Sequence, residues 1–116
     1  MKIAIPLDED QTSVCCVLAR APYFCFVCDG TSSIVENPAA QSQSGAGLLA
    51  AQFLVDQQTT HLITPRCGEN AAQVFRAAGI GLYKSRPGCA QENLDAFARN
   101  ELEELTHFHA GYQGIQ

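Results

Sequence analysis

Apolar and polar residues alternate in short blocks along this chain, and the blocks read as a sheet followed by helix–strand units. Lys2 to Pro6 is a brief apolar run closed by proline and then by Asp8, Glu9 and Asp10, which predicts a first strand. Asp8 to Ala19 carries polar residues before Val-Cys-Cys-Val-Leu and reads as a long loop, long enough to be functional. Tyr23 to Cys28 is aromatic and β-branched, hence a second strand. Asp29-Gly30 is a hairpin signal, Ser32 to Glu36 returns as a third strand, and Asn37-Pro38 ends it.

Helical spacing takes over from there. Gly45 to Asp56 predicts a helix with Ser44 as its cap. Leu48, Ala51 and Val55 form its stripe and Leu49 and Phe53 widen it, so burial on most sides is expected. His61 to Thr64 is a fourth strand stopped by Pro65. Glu69 to Ala78 places Ala71, Val74, Phe75 and Ala78 on one face, and Gly79 supplies a C-terminal stop. Ile80 to Lys84 is a fifth strand. Gln91 to Arg99 is a third helix with Leu94, Phe97 and Ala98 inward. Thr106 to Gln116, with two glycines and two histidines, reads as a frayed tail after a single domain over 1–105.

The order β-β-β-α-β-α-β-α joins a meander to two crossover units. It predicts an α/β fold with a mixed five-stranded sheet ordered 3-2-1-4-5, strand two antiparallel and helices on both faces. Ligands of such sheets sit outside the carboxyl ends of the strands where the order reverses, here between strands one and four.

Composition narrows the function. The net charge is -5 with only seven Lys and Arg among 116 residues, too few and too scattered to neutralise a nucleic-acid backbone. No apolar run approaches the about 18 residues of a membrane span, and the first run is too short for a signal peptide, so a cytoplasmic location is expected. Six cysteines in a reducing compartment call for chemistry other than a disulfide framework.

The topology sorts those cysteines. Cys15 and Cys16 follow the first strand, Cys67 follows the fourth and Cys89 the fifth, so all four are expected at the carboxyl edge as metal ligands. Thiolates favour iron–sulfur clusters, zinc and copper(I). Cys67 opens a helix, whose dipole is expected to lower its pKa. Gly68 would let the backbone approach a bulky inorganic ligand, with Asn70 beside it. Ser44, Gly45 and Gly47 could turn backbone N–H groups to an anion, and Arg20 or Arg66 could offset cluster charge. Cys25 and Cys28 form a CxxC, but within a strand they stand roughly 10 Å apart on opposite faces. One zinc would hold two thiolates no more than about 4.6 Å apart. His61 reads as structural, and His107 and His109 as solvated. No P-loop, Ser-His-Asp set, paired catalytic carboxylates or HExxH is present. The chain is thus expected to be no enzyme.

Spread from residue 1 to about 105, in order, are Met1-Lys2-Ile3-Ala4-Ile5-Pro6, Ala19-Arg20-Ala21-Pro22-Tyr23-Phe24, Glu36-Asn37-Pro38-Ala39-Ala40, Gly45-Ala46-Gly47, Gly68-Glu69-Asn70-Ala71, Ala77-Ala78-Gly79-Ile80 and Glu101-Leu102-Glu103-Glu104-Leu105. Together they resemble the nitrogenase iron–molybdenum cofactor biosynthesis family, which includes NifX, NafY, the C-terminal domain of NifB and the orange protein. The resemblance implies a ribonuclease-H-like fold. It also implies binding and carriage of a metal–sulfur cluster of iron–sulfur, iron–molybdenum or molybdenum–copper type. A client or donor protein of cofactor assembly is implied as partner, and a homodimer is left open. Family members commonly carry His-Phe-Gly just before Arg-Ala-Pro-Tyr-Phe, where this chain reads Val17-Leu18-Ala19. No histidine ligand carries over, which leaves Cys15 and Cys16 nearest its place. The cysteine-rich edge keeps a rival reading open, a reversible disulfide among Cys15, Cys16, Cys67 and Cys89. A ligand-free interaction module is a further alternative.

Overall fold

A computed structural model describes residues 1–109. The strands are β1 (Lys2–Leu7), β2 (Tyr23–Cys28), β3 (Thr31–Glu36), β4 (His61–Thr64) and β5 (Gly81–Lys84). The helices are α1 (Ala46–Asp56), α2 (Glu69–Ala77) and α3 (Ala90–Ala98), with a 3-10 turn at Leu18–Arg20. The sheet runs β3-β2-β1-β4-β5. β2 is antiparallel to both β1 and β3, whereas β4 and β5 run parallel to β1 and to each other. This is the ribonuclease-H-like order expected from the sequence. Asp29 and Gly30 both take positive φ, 52° and 80°, as a two-residue hairpin turn requires.

Strand alternation sends apolar side chains to both faces. Ala4, Phe24, Phe26, Leu62 and Leu82 meet α1 and α2 through Ala50, Ala51, Leu54, Ala72 and Phe75. On the other face Ile3, Ile5, Leu7, Cys25 and Ile63 meet α3 through Ala90, Leu94 and Phe97. Three layers result, with α1 and α2 on one side and α3 on the other.

Several local expectations are corrected. Ser44 does not cap α1: the residue before the helix is Gly45, in the left-handed region at φ 69°, with no side-chain cap. The buried stripe of α1 is Ala46, Ala50, Ala51 and Leu54, while Leu48 and Leu49 stay about half exposed at 49% and 52%. The helix is apolar nearly all round, so hydrophobicity could not set its phase. Its small alanines let it pack closely instead. Ala78 and Ala98 are exposed rather than inward; each lies just at or beyond a helix end.

Residues 103–109, which reach into the expected tail, bond to the body of the domain. After α3 the chain returns along β5, where Lys84 N–H donates to Glu103 O at 2.8 Å and Leu105 N–H to Leu82 O at 2.9 Å. It then reaches the β4–α2 turn, where His109 N–H donates to Cys67 O at 3.3 Å and Glu69 N–H to His109 O at 2.9 Å. The remainder of that expected tail, 110–116, lies outside the described residues.

Candidate metal–sulfur site at the carboxyl edge

The β1 loop folds back on its own strand. Asp10 accepts the N–H groups of Thr12 and Ser13 at 2.9 and 2.8 Å, and the Ser13 hydroxyl at 2.7 Å. These bonds, led by the Ser13 hydroxyl, hold its carboxyl down at about 2. Val14 pairs with Leu7, and Cys15 N–H donates to Pro6 O at 2.9 Å. The loop also docks on the β5–α3 turn, where Ser13 pairs with Cys89 and Ala90 N–H donates to Thr12 O at 2.8 Å. Cys15 is buried, its Sγ 3.6 Å from Val17 O, and burial pushes its thiol up to about 11, with the Asp8 carboxylate adding to the effect. Cys16, next in the chain, is exposed.

The β5–α3 turn is held from within. Asn93 is 1% exposed on α3. Its amide oxygen accepts Arg86 N–H at 2.7 Å, and its amide nitrogen donates to Arg86 O at 3.1 Å and Cys89 O at 3.0 Å. Glu92 reaches back to the Cys89 N–H at 2.9 Å, and Gly88, at φ 131°, leaves the space its carboxylate needs. Cys89 is left partly exposed.

Cys67 lies differently. It is 1% exposed, its Sγ is 3.4 Å from Gly68 O, and it belongs to the core cluster beneath α1 and α2. Burial pushes its thiol up to about 12 and the Arg76 charge opposes only weakly, so the expected lowering by the helix dipole is overturned. Gly68 gives close approach to His109: a Cβ there would stand 3.2 Å from the imidazole Cε1. Arg66 lines a cleft of about 550 Å³ with Lys84, Glu103 and His107, while Asn70 is exposed on the first turn of α2.

The remaining positions bracket α1. Arg20 donates to the carbonyls of Ala40 and Ser42, so its guanidinium ties the loop before α1 to the 3-10 turn. Asn37, buried, donates to Ala19 O and Ala21 O at 3.1 and 2.9 Å and accepts Ala39 N–H at 2.9 Å. Ser44 and Gly45 are exposed, and nothing lies within 4 Å of a Cβ built on Gly45 or Gly47.

Thus the four edge cysteines stand on three loops, Cys89 joined to the Cys15–Cys16 loop through Ser13 and Cys67 sealed separately. All six thiols are free. Among the described residues no three His, Cys, Asp or Glu groups are gathered as a metal cage. Cys25 and Cys28 remain in one extended strand, Cys25 buried against the α3 side and Cys28 exposed. Sequence reasoning missed Asn37, Asn93 and Glu92 as loop holders and Phe108 and His109 as a cover. A polar amide four residues into an amphipathic helix, at Asn93, was the available signal.

The family model for the dinitrogenase iron–molybdenum cofactor matches residues 1–100. An uncharacterized protein of Methanocaldococcus jannaschii is 28% identical over 90% of this chain and 92% of its own. An NMR structure of a candidate NifB protein from Thermotoga is 33% identical, with TM-score 0.78 over 96% of this chain and 98% of that one. The apo orange protein from Desulfovibrio gigas is 27% identical, with TM-score 0.81 over 90% and 92%. With its residues 1–100 matched and its sheet order shared, this chain belongs to the dinitrogenase iron–molybdenum cofactor family.

Proposed function

We propose that this protein binds and carries a metal–sulfur cluster or its precursor as cargo, with a client or donor protein of cofactor assembly as its partner. The carrying observation is the placement of Cys15, Cys16, Cys67 and Cys89 on the three loops at the carboxyl edge of a family fold. Thiolates suit such cargo. Cys16 and Cys89 offer first contact because they reach solvent, and Cys15 and Cys67 engage as their loops rearrange. Ligation removes the thiol protons, so binding tightens as pH rises and releases acid. Ser44 to Gly47, Arg66 and Asn70 lie at the same end of the sheet and would face the anionic cargo. Arg20 acts through the loop it ties.

A passive role is supported by the thiols themselves. At about 11 and 12, Cys15 and Cys67 are poor nucleophiles near neutrality, which weighs against fast disulfide exchange or turnover through those two thiols. No helix among the described residues is long and apolar enough to cross a membrane. The test is anaerobic reconstitution with iron and sulfide, followed by metal per chain and a visible spectrum. Serine at Cys15, Cys16, Cys67 and Cys89 together should abolish uptake, while Cys28→Ser should leave it unchanged. Equal uptake by the quadruple variant, or loss in Cys28→Ser, would refute the assignment.

A further inference from the structure

We infer that residues 103–109 form a strap that gates Cys67, and that this strap lifts from the β4–α2 turn before cargo can engage that thiol. The inference rests on the carriage reading for its cargo, though not for the strap itself. The two halves of the segment are held differently. Its first half is laddered to β5 through Glu103 and Leu105, with Glu104 paired to Tyr83, and Leu105 is buried in the core cluster. Its second half rests on His109, whose backbone bonds Cys67 and Glu69, and on Phe108, whose ring lies 4.5 Å from the Arg76 guanidinium carbon. Between them Thr106 and His107 are exposed, the natural place for the backbone to swing.

The second half covers what cargo must reach. His109 bonds the carbonyl of Cys67 itself, and its own carbonyl takes the Glu69 N–H in the first turn of α2, where an anionic ligand would otherwise be favoured. Its ring fills the space above Gly68. Cys67, in a surface turn, is 1% exposed, buried in the core cluster against which Phe108 also packs. The second half is held at the surface, through backbone bonds, a half-buried phenyl and a cation–π contact, where segments open locally without unfolding the domain.

The experiment uses the full chain carrying Cys16→Ser, Cys28→Ser and Cys89→Ser, which leaves the three buried thiols. Iodoacetamide labelling of each is followed by peptide mass. Phe108→Ala should speed Cys67 labelling tenfold or more, and Gly68→Ala severalfold by crowding the imidazole, with Cys25 labelling unchanged on the opposite face. A flat Cys67 rate in both variants overturns the strap. Should Phe108→Ala raise Cys25 as well, through general unfolding, Gly68→Ala alone decides: a selective Cys67 rise upholds the strap and anything else overturns it. In the otherwise unsubstituted chain, the initial rate of iron and sulfide uptake should rise with Phe108→Ala. Faster labelling without faster uptake removes the gate. A chain that never takes up metal, yet shows selective Cys67 exposure, loses the carriage reading and keeps the strap.

Discussion

The β5–α3 turn and the β4–α2 turn carry the same kind of residue, a cysteine just before or at a helix start, and are secured in opposite ways. Around Cys89 the clamp is local: Asn93 and Glu92 of the same helix bond Arg86 and Cys89, three to seven residues away. Around Cys67 the clamp is remote, supplied by His109 and Phe108 from the far end of the described chain. A local clamp is part of the fold and breaks only with it. A remote one closes a loop and can open alone. The thiol under the local clamp is partly exposed, and the one under the remote clamp is buried in the core cluster.

Breaking the local clamp should have the largest effect. Asn93→Ala removes a buried amide and leaves the Arg86 and Cys89 backbone groups it bonds, in a partly buried turn, without that partner, at a cost of about 3 kcal/mol. The melting temperature should fall by roughly 10 °C or more, with one cooperative transition. A melt within two degrees or so of the parent would mean that the turn holds itself.

Alkaline titration sharpens the comparison from the side of the sealed thiol. Cys67 and Cys15 have folded values near 12 and 11 against 9.0 in the open chain. Above pH 9 the unfolded chain sheds these protons while the folded one keeps them, so stability falls with rising pH. The contribution is fully present below 9 and is lost as pH rises toward and through the folded values. For Cys67 alone the loss is on the order of 1 kcal/mol by pH 10. Denaturant melts at pH 8 and pH 10 should differ less in Cys67→Ala than in the parent. An identical difference would show that the thiol is not sealed.

Breaking the remote clamp should cost least. Phe108→Ala removes a half-buried ring and a surface cation–π contact, about 1 kcal/mol or less of global stability. It is nonetheless the change expected to alter Cys67 access most. A loss comparable with that of Asn93→Ala would erase the distinction between the two turns.

The fold was readable from local signals because those signals act locally. Asp29-Gly30 could hardly be anything but a tight turn, and the aromatic and β-branched run Tyr23–Cys28 occupies the strand it predicts, as does His61–Thr64. Strand order then follows from chain connectivity. The phase of α1 was not readable, since Leu48, Leu49 and Phe53 are equally apolar and only the closeness demanded by its packing selects the alanine stripe. The candidate thiols were placeable on their loops, but their ionisation was not. The dipole argument for Cys67 uses its neighbours in sequence, while its burial comes partly from chain more than thirty residues away. Asn37 likewise looked like a strand stop, and its bonds to Ala19 and Ala21 depend on a loop formed before β2.

The position of the strap along the chain also dictates when it can act. Synthesis runs from the amino end, so β1 to α3 are made before residues 103–109 are added. Translation at about 5 to 20 residues per second puts on the order of a few seconds between Cys67 and His109. For that interval the turn has no strap, so the cover over it can close only after β4, α2 and β5 have been made.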